Sequence, residues 1–396
     1  MNVREIAPNI YWVGVVDWDA RYFHGHALST HRGTTYNAYL IVDEKITLVD
    51  TVYTPVTQKL LENIREIVDP AKLDYIVCNH SEIDHSGAMP AIVAAAPNAK
   101  IYCTKKASEF LEAQFHGGWE YNIVKSFDEL SLGKRTLTFL EAPMLHWPDS
   151  MFTYIKEDAI LMPNDAFGQH YASSGRFDDE VDVNEMMEEA SKYYANILNP
   201  FSALVAKKLK EVADLGLPIK MICPSHGVIH RENPGRILEA YQRWSTGPAE
   251  DVVVIAYDTM WGSTQIMAEA IASGVEAAGV PYKLYRLPIT DRNDVIDEIL
   301  RAKAVAIGSA TINRGLLPTV TPLLDDLVGL RLAGKKAVAF GSDGWGGGAV
   351  AAINGYLDKA GMKRISDGVA MRWKPNAAAR KELQEVGRQL AESIKE

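Results

Sequence analysis

Beyond residue 251 the chain alternates apolar runs with amphipathic stretches five times over. The runs fall at 252–257, 282–287, 304–308, 336–340 and 364–371. Helix-period segments follow at 264–278, 291–302, 318–330, 349–360 and 376–394. The first run, Val-Val-Val-Ile-Ala-Tyr, and the third, Ala-Val-Ala-Ile-Gly, are apolar almost throughout rather than at every second residue. Strands of that kind are buried on both faces, which requires a parallel sheet with helices above and below it. The expectation for 249–396 is therefore a doubly wound α/β domain of five parallel strands, with ligands collected at the carboxyl ends of the strands.

Three of those strand ends carry loops suited to a ligand. After the first run come Thr259, Met260, Trp261, Gly262, Ser263 and Thr264, opening directly into a helix. Hydroxyls and free backbone N–H groups at a helix N-terminus cradle an anion. The loop lacks the lysine of a triphosphate-binding P-loop and the GxGxxG of a dinucleotide site, so a monophosphate fits better. The third run is followed by Thr311, Ile312, Asn313 and Arg314, the fourth by Ser342, Asp343, Gly344, Trp345, Gly346 and Gly347. Small residues let a flat ring approach the backbone, and Trp345 can stack on it. A Gly-rich loop alone is a plain connection, and a single Trp is more often packing. Three such loops on one sheet edge favour flavin mononucleotide (FMN).

Residues 1–248 have a different texture. Strand-like runs come early (9–18, 34–42, 46–52), helices flank them (55–67, 183–198, 203–214), and the expected form is two sheets between outer helices. The junction falls at Ser245-Thr246-Gly247-Pro248-Ala249-Glu250, where Gly-Pro breaks both periodicities. Chemistry in this half centres on Asn79-His80-Ser81-Glu82-Ile83-Asp84-His85-Ser86-Gly87, a turn between an apolar strand and a helix. Imidazole and carboxylate donors together bind first-row divalent metals. His80 and Glu82 would point one way and Asp84 and His85 the other, toward two ions. An isolated short match of this kind is usually a solvated polar loop. Three more strand-like runs, however, are followed by His146, Asp165 and His226. Four successive strand-end loops, each with a donor, are far more specific than any one of them.

Bulk properties bound the rest. The formal charge is 41 − 51 = −10, which argues against a nucleic-acid backbone as partner. Hydrophobic residues make up 47% of the 396, enough for large cores in two domains. Cys78, Cys103 and Cys223 form no CxxC pair, so neither a disulfide framework nor an iron–sulfur site is encoded. No apolar run is long enough to span a bilayer and no signal peptide opens the sequence, so a cytoplasmic protein is expected.

With these residues in this order, the first half resembles the metallo-β-lactamase fold, an αββα sandwich, and the second resembles flavodoxin. The whole chain resembles the flavodiiron proteins, the A-type flavoproteins of the rubredoxin:oxygen oxidoreductase and nitric oxide reductase type. The resemblance implies two non-haem irons, one held by His80, Glu82 and His146, the other by Asp84, His85 and His226, with Asp165 bridging. It also implies FMN on the second domain, and His24 and one of Tyr193 and Tyr194 around the metals. Reduction of dioxygen to two waters takes four electrons, which a diferrous pair and a reduced flavin supply together; coupling two nitric oxides to nitrous oxide takes two. The implied partners are a separate rubredoxin or a reduced deazaflavin as donor and a second copy of the chain, in a head-to-tail homodimer or dimer of dimers. Two other readings stay open: a zinc-dependent hydrolase of the lactamase fold fused to an electron-transfer flavodoxin domain, and a flavin electron carrier with a merely structural metal site.

Overall fold

The computed structural model describes residues 3–246 and 249–395. The chain divides into two compact units. One comprises residues up to Tyr193 together with Phe201–Ser245; the other comprises Tyr194–Pro200 and the chain from Thr246 onward. The expected junction includes Gly247 and Pro248, which lie outside the described residues.

In the first unit two sheets face each other. The larger has seven strands, in the spatial order Arg4–Ala7, Ile10–Trp12, Tyr39–Ile41, Thr47–Val49, Tyr75–Cys78, Lys100–Cys103 and Tyr121–Ile123. The smaller has five: Glu129–Ser131, Thr136–Glu141, Met151–Ile155, Ile160–Asn164 and Met221–Pro224. Strand alternation sorts side chains between two cores. Tyr39, Ile41, Val49 and Val77 point inward to meet Phe139, Met151, Ile155 and Met162 of the second sheet. Their neighbours Leu40, Leu48 and Ile76 point outward, against Leu60, Leu61, Ile64 and Ile92 of helices Thr57–Arg65 and Met89–Ala95. Helices Ser202–Asp214 and Pro234–Thr246 cover the other sheet, placing Val205, Leu209, Leu238 and Tyr241 on Phe152 and Leu161.

The strands expected over 9–18 and 34–42 are each broken in two. Ile10–Trp12 pairs with Tyr39–Ile41, while Val15–Asp17 pairs with Thr34–Tyr36 in a separate ribbon. The two stretches approach closely at Gly14, where a Cβ would stand 2.2 Å from the Tyr36 carbonyl oxygen. Only glycine allows that approach.

The second unit has a parallel sheet in the order Tyr282–Arg286, Glu250–Tyr257, Ala302–Ala310, Lys336–Asp343. Its fifth position is shared by two short strands, Lys363–Arg364 and Val369–Arg372, both pairing with Lys336–Asp343. The run expected at 364–371 is therefore interrupted, though its place in the sheet is the expected one. Helices Ser263–Ala277 and Ala377–Glu392 bury Met267, Ile271, Leu383 and Leu390 on one face. Helices Arg292–Arg301, Thr321–Gly329 and Ala349–Lys359 bury Ile296, Leu324 and Ile353 on the other.

The helix expected over 183–198 is α-helical only over Val183–Tyr193 and continues as a π-helical turn, Tyr194–Leu198. The segment from Tyr194 to Pro200 joins the second unit. Ala195 is buried in its core, the Asn196 and Asn293 side chains hydrogen-bond at 2.7 Å, and Asn199 Nδ2 donates to the Leu330 carbonyl at 2.7 Å.

Candidate metal centre and flavin site

The turn after Tyr75–Cys78 is a short helix, Ile83–Ser86, with Glu82 preceding its first residue. Winding the chain there separates the four side chains into two directions. The ligand atoms of His80, Glu82, His146 and Asp165 all lie within 4.8 Å of one another, and so do those of Asp84, His85 and His226. Glu82 Oε2 is 3.3 Å from His80 Nε2 and 3.2 Å from His146 Nε2. Asp84 Oδ2 is 3.0 Å from His226 Nε2 and 3.3 Å from His85 Nε2. Bonds of about 2.1 Å to one ion put neighbouring donors roughly 3.0–3.4 Å apart at octahedral to tetrahedral angles, so these spacings fit a first-row ion in each group.

Asp165 belongs to both groups. Its Oδ2 is 3.5 Å from His80 Nε2 and 3.4 Å from His146 Nε2. Its Oδ1 is 3.0 Å from His85 Nε2 and 3.6 Å from His226 Nε2. Tyr193 Oη and Ser225 Oγ donate to Oδ1 at 2.9 and 3.2 Å, so the carboxylate is held from behind. Of the two adjacent tyrosines, Tyr193 is the one on the carboxylate. Asp165 Oδ2, Asp84 Oδ1 and both ring nitrogens of His85 are buried without a hydrogen bond. Buried polar atoms usually have a partner, and the orphaned Asp165 Oδ2, Asp84 Oδ1 and His85 Nε2 beside the other donors fit a site built for cations.

The electrostatics follow the same pattern. Burial pushes the Glu82 carboxyl up, but His146, His24 and His80 outweigh it and hold it well below the carboxylate range. Burial likewise opposes charge on His85 and His146, yet the carboxylates prevail. Asp84 and Asp165 lift His85 to about 9, and Asp165 and Glu82 lift His146 to about 8. Without a cation, protons stand in for it.

The supporting contacts are long-range. Asp50, fully buried, accepts from the Asn79 N–H at 2.7 Å and from Asn164 Nδ2 at 3.1 Å, tying the first donor loop to the third. His226 Nδ1 donates to the Thr35 carbonyl at 2.6 Å. His24 Nε2 sits 3.2 Å from Glu82 Oε1. A cavity of about 340 Å³ opens beside the centre, with Phe23, His24, Tyr36, Tyr53 and Ile83 on its walls and Glu82 and Asp84 at its base.

On the second unit a cavity of about 680 Å³ lies at the carboxyl ends of the strands. Thr259, Met260, Trp261, Ser263, Thr311, Ile312, Asn313, Arg314, Ser342, Asp343, Gly344, Trp345 and Gly346 line it, along with Ala310 and Trp373. Three residues expected there do not. Gly262 turns the chain with φ +87 and donates its N–H to Thr259 Oγ1. Thr264 is buried beneath the loop, its hydroxyl 2.9 Å from that of Ser342. Gly347 lies off the wall. Trp373 escaped the sequence reading, although it follows the fifth strand as the other loops follow theirs. Its ring is 6.0 Å from that of Trp345, and Trp261 and Trp345 are 94% and 88% exposed, so the mouth is aromatic and open. The volume suits a mononucleotide-sized ligand, with the first turn of Ser263–Ala277 available to a phosphate and aromatic faces to a ring.

A metallo-β-lactamase-type sandwich with two adjoining donor sets, joined to a flavodoxin-type unit, defines the class. Residues 34–227 match the family model described as ODP family beta lactamase, and residues 255–385 match flavodoxin. The chain is 56% identical to the nitric oxide reductase of Moorella thermoacetica, over 98% of each chain. It is 43% identical to the anaerobic nitric oxide reductase flavorubredoxin of Escherichia coli K12, over 98% of this chain and 81% of that protein. The structure of rubredoxin oxygen:oxidoreductase from the anaerobe Desulfovibrio gigas superposes with a TM-score of 0.97 at 37% identity, covering 99% of this chain and 98% of that one. The chain belongs to the flavodiiron protein family.

Proposed function

We propose that this flavodiiron protein is an oxidoreductase that reduces nitric oxide to nitrous oxide and dioxygen to water, passing electrons from FMN to a diiron centre. Similarity to a nitric oxide reductase and to a rubredoxin oxygen:oxidoreductase supports both substrates. The observation that carries the reading is Asp165, which turns one oxygen to each donor set. In this assignment His80, Glu82 and His146 would hold one iron and Asp84, His85 and His226 the other, with Asp165 available to both. Three carboxylates among the seven side chains favour iron over zinc, and so disfavour the hydrolase reading. Iron and reduced flavin, when bound, supply the electrons and a Lewis-acid site for the diatomic.

The chain's own residues have separate tasks. Phe23, Tyr36, Tyr53 and Ile83 shape an entry that suits a small uncharged gas. His24 holds a proton on Nε2 beside that entry, its pKa raised chiefly by the hydrogen bond to Glu82, and is placed to deliver it to a reduced oxygen atom. Tyr193 keeps the Asp165 carboxylate turned to both sets. On the flavin unit, Ser263 and the helix start behind it would hold the phosphate, with Trp345 against the ring.

A separate rubredoxin or a reduced deazaflavin is the proposed donor, and a head-to-tail homodimer, or a dimer of dimers, the proposed assembly. Support for the pairing comes from the two mouths taken singly. Trp261, Trp345 and Trp373 stand exposed around the flavin cavity, and Trp18, Tyr22, Tyr53 and Ile83 stand exposed on the metal-binding unit. A cytoplasmic location is part of the proposal; no helix among the described residues is long and apolar enough to cross a membrane.

The deciding experiment is anaerobic stopped-flow of the reduced protein against each gas, with iron and flavin quantified on the same sample. Flavin reoxidation at the rate of gas loss is the expected result. Zinc in place of iron, or flavin that stays reduced under both gases, would overturn it. Metal uptake should also depend on pH. At pH 7 metal-free His85 and His146, with pKa values of about 9 and 8, both carry protons that an ion must displace. Ferrous iron added to the metal-free protein should release protons at pH 7, and its apparent affinity should climb as pH rises toward 9. A pH-indicator titration checks this, and uptake without proton release would contradict it.

A further inference from the structure

The two halves of the centre are supported unequally. Behind His80 stands a carboxylate, Asp149, with 0% exposure. Its oxygens lie 3.2 and 3.1 Å from His80 Nδ1. Oδ2 also accepts from the Ser81 N–H at 2.8 Å and from Ser81 Oγ at 2.7 Å, and the Asp149 carbonyl accepts from Thr104 Oγ1 at 2.9 Å. Behind His226 stands only a backbone carbonyl. His85 Nδ1 is buried with no hydrogen-bond partner. A ring nitrogen facing a carboxylate must carry the hydrogen, which leaves the opposite nitrogen bare for a metal. A carbonyl does the same more weakly, and an unpartnered nitrogen does not select at all.

We infer that Asp149 is a positioning residue that fixes Nε2 of His80 as the metal-facing nitrogen, so that binding at the His80–Glu82–His146 half, and not at the other, depends on this carboxylate. The inference rests on the proposed diiron reading. Ser81 holds the carboxylate in place through two hydrogen bonds to Oδ2, and both oxygens stay within 3.2 Å of His80 Nδ1. In Asp149→Asn, the amide oxygen would keep both Ser81 bonds. The NH2 group, in place of Oδ1, would then stand 3.2 Å from His80 Nδ1 as a competing donor, and with the negative charge gone the ring is no longer held with its hydrogen on Nδ1. A ring hydrogen released to Nε2 would point at Glu82 Oε2, 3.3 Å away, where the ion belongs.

The test is ferrous iron alone, titrated into metal-free wild type, Asp149→Asn and Ser81→Ala, with Mössbauer spectra of the loaded proteins. Gas turnover is not needed, so failure of the proposed reaction and failure of this inference can be told apart. Wild type should take two ions. Asp149→Asn should bind one of them roughly 10–100-fold more weakly, the range for losing such an outer partner, and lose one quadrupole doublet with flavin content unchanged. Ser81→Ala, which leaves the carboxylate on the ring, should keep both ions. Unaltered affinity for both ions in Asp149→Asn, or equal weakening of both, would overturn the assignment, as would loss of one ion in Ser81→Ala. Should Asp149→Asn fail to fold, ring-nitrogen NMR of the unmodified protein loaded with zinc decides the matter. A hydrogen on His80 Nδ1 supports the inference, and one on Nε2 refutes it.

Discussion

Asp165→Ala should strip the protein of both metals at once. No other side chain in the centre presents an oxygen to each donor set, and its removal leaves His80, His85, His146 and His226 facing a space with less negative charge. Glu82 and Asp84 each serve one group only. Their removal should weaken one ion and leave the other measurable. Loss of the metal from a catalytic centre forfeits at least about 4 kcal/mol of transition-state stabilisation, roughly a thousandfold in rate. Iron per chain and gas consumption by the reduced variant are the two readouts. Asp165→Asn is the companion, since it keeps the shape and the Tyr193 contact while removing the charge. Two irons bound in Asp165→Ala, with a rate within about tenfold of wild type, would mean that the carboxylate is not shared.

The second large effect lies at Gly348. Its φ is +154, and a Cβ built there would sit 2.1 Å from the Arg314 carbonyl oxygen. Two flavin-site loops meet at this point, the one after Ala302–Ala310 and the one after Lys336–Asp343. The first cannot yield easily: Asn313 and Arg314 are both left-handed, and Ile312 and Gly315 bond each other's backbone at 3.2 and 2.8 Å. The second starts the helix Ala349–Lys359, whose first N–H donates to Thr311 Oγ1 at 3.3 Å. In Gly348→Ala one loop must move, at a cost of about 1–3 kcal/mol, equivalent to roughly 5–150-fold in flavin affinity. Fluorescence titration of the flavin-free protein with FMN measures it, and iron content should not change. Gly355→Ala on the same helix, where a Cβ meets nothing within 4 Å, is the control. Equal FMN affinity in the two variants would show that this contact does not shape the flavin site.

Much of the architecture was legible because it is written in local periodicity. Near-continuous apolar strands forced a parallel sheet, and polar donors just past strand ends pointed to one rim. What escaped depends on partners far away in sequence. Asp149 lies 69 residues from His80, inside His-Trp-Pro-Asp, where no spacing marks it. The Thr35 carbonyl behind His226 is backbone and leaves no trace in residue type at all. The contact between the Thr264 and Ser342 hydroxyls joins two loops 78 residues apart, and no local pattern announces it. The break at Gly14 goes with a close approach to the Tyr36 backbone, which neither strand's own pattern records. Trp373, by contrast, was within reach, since the strand-end rule that found the other three loops applies to it unchanged.

The stretch from Tyr194 to Pro200 makes the two units inseparable by a single cut. A fragment that starts at 249 would leave behind Ala195, which fills part of the flavin unit's core, and the asparagines that bond Asn293 and Leu330. A fragment that stops at 246 would carry that same stretch with its apolar face stripped of its cover. Anyone dissecting the molecule should therefore expect the excised flavin half to be less stable than its five-stranded sheet suggests, and the excised metal half to be prone to self-association.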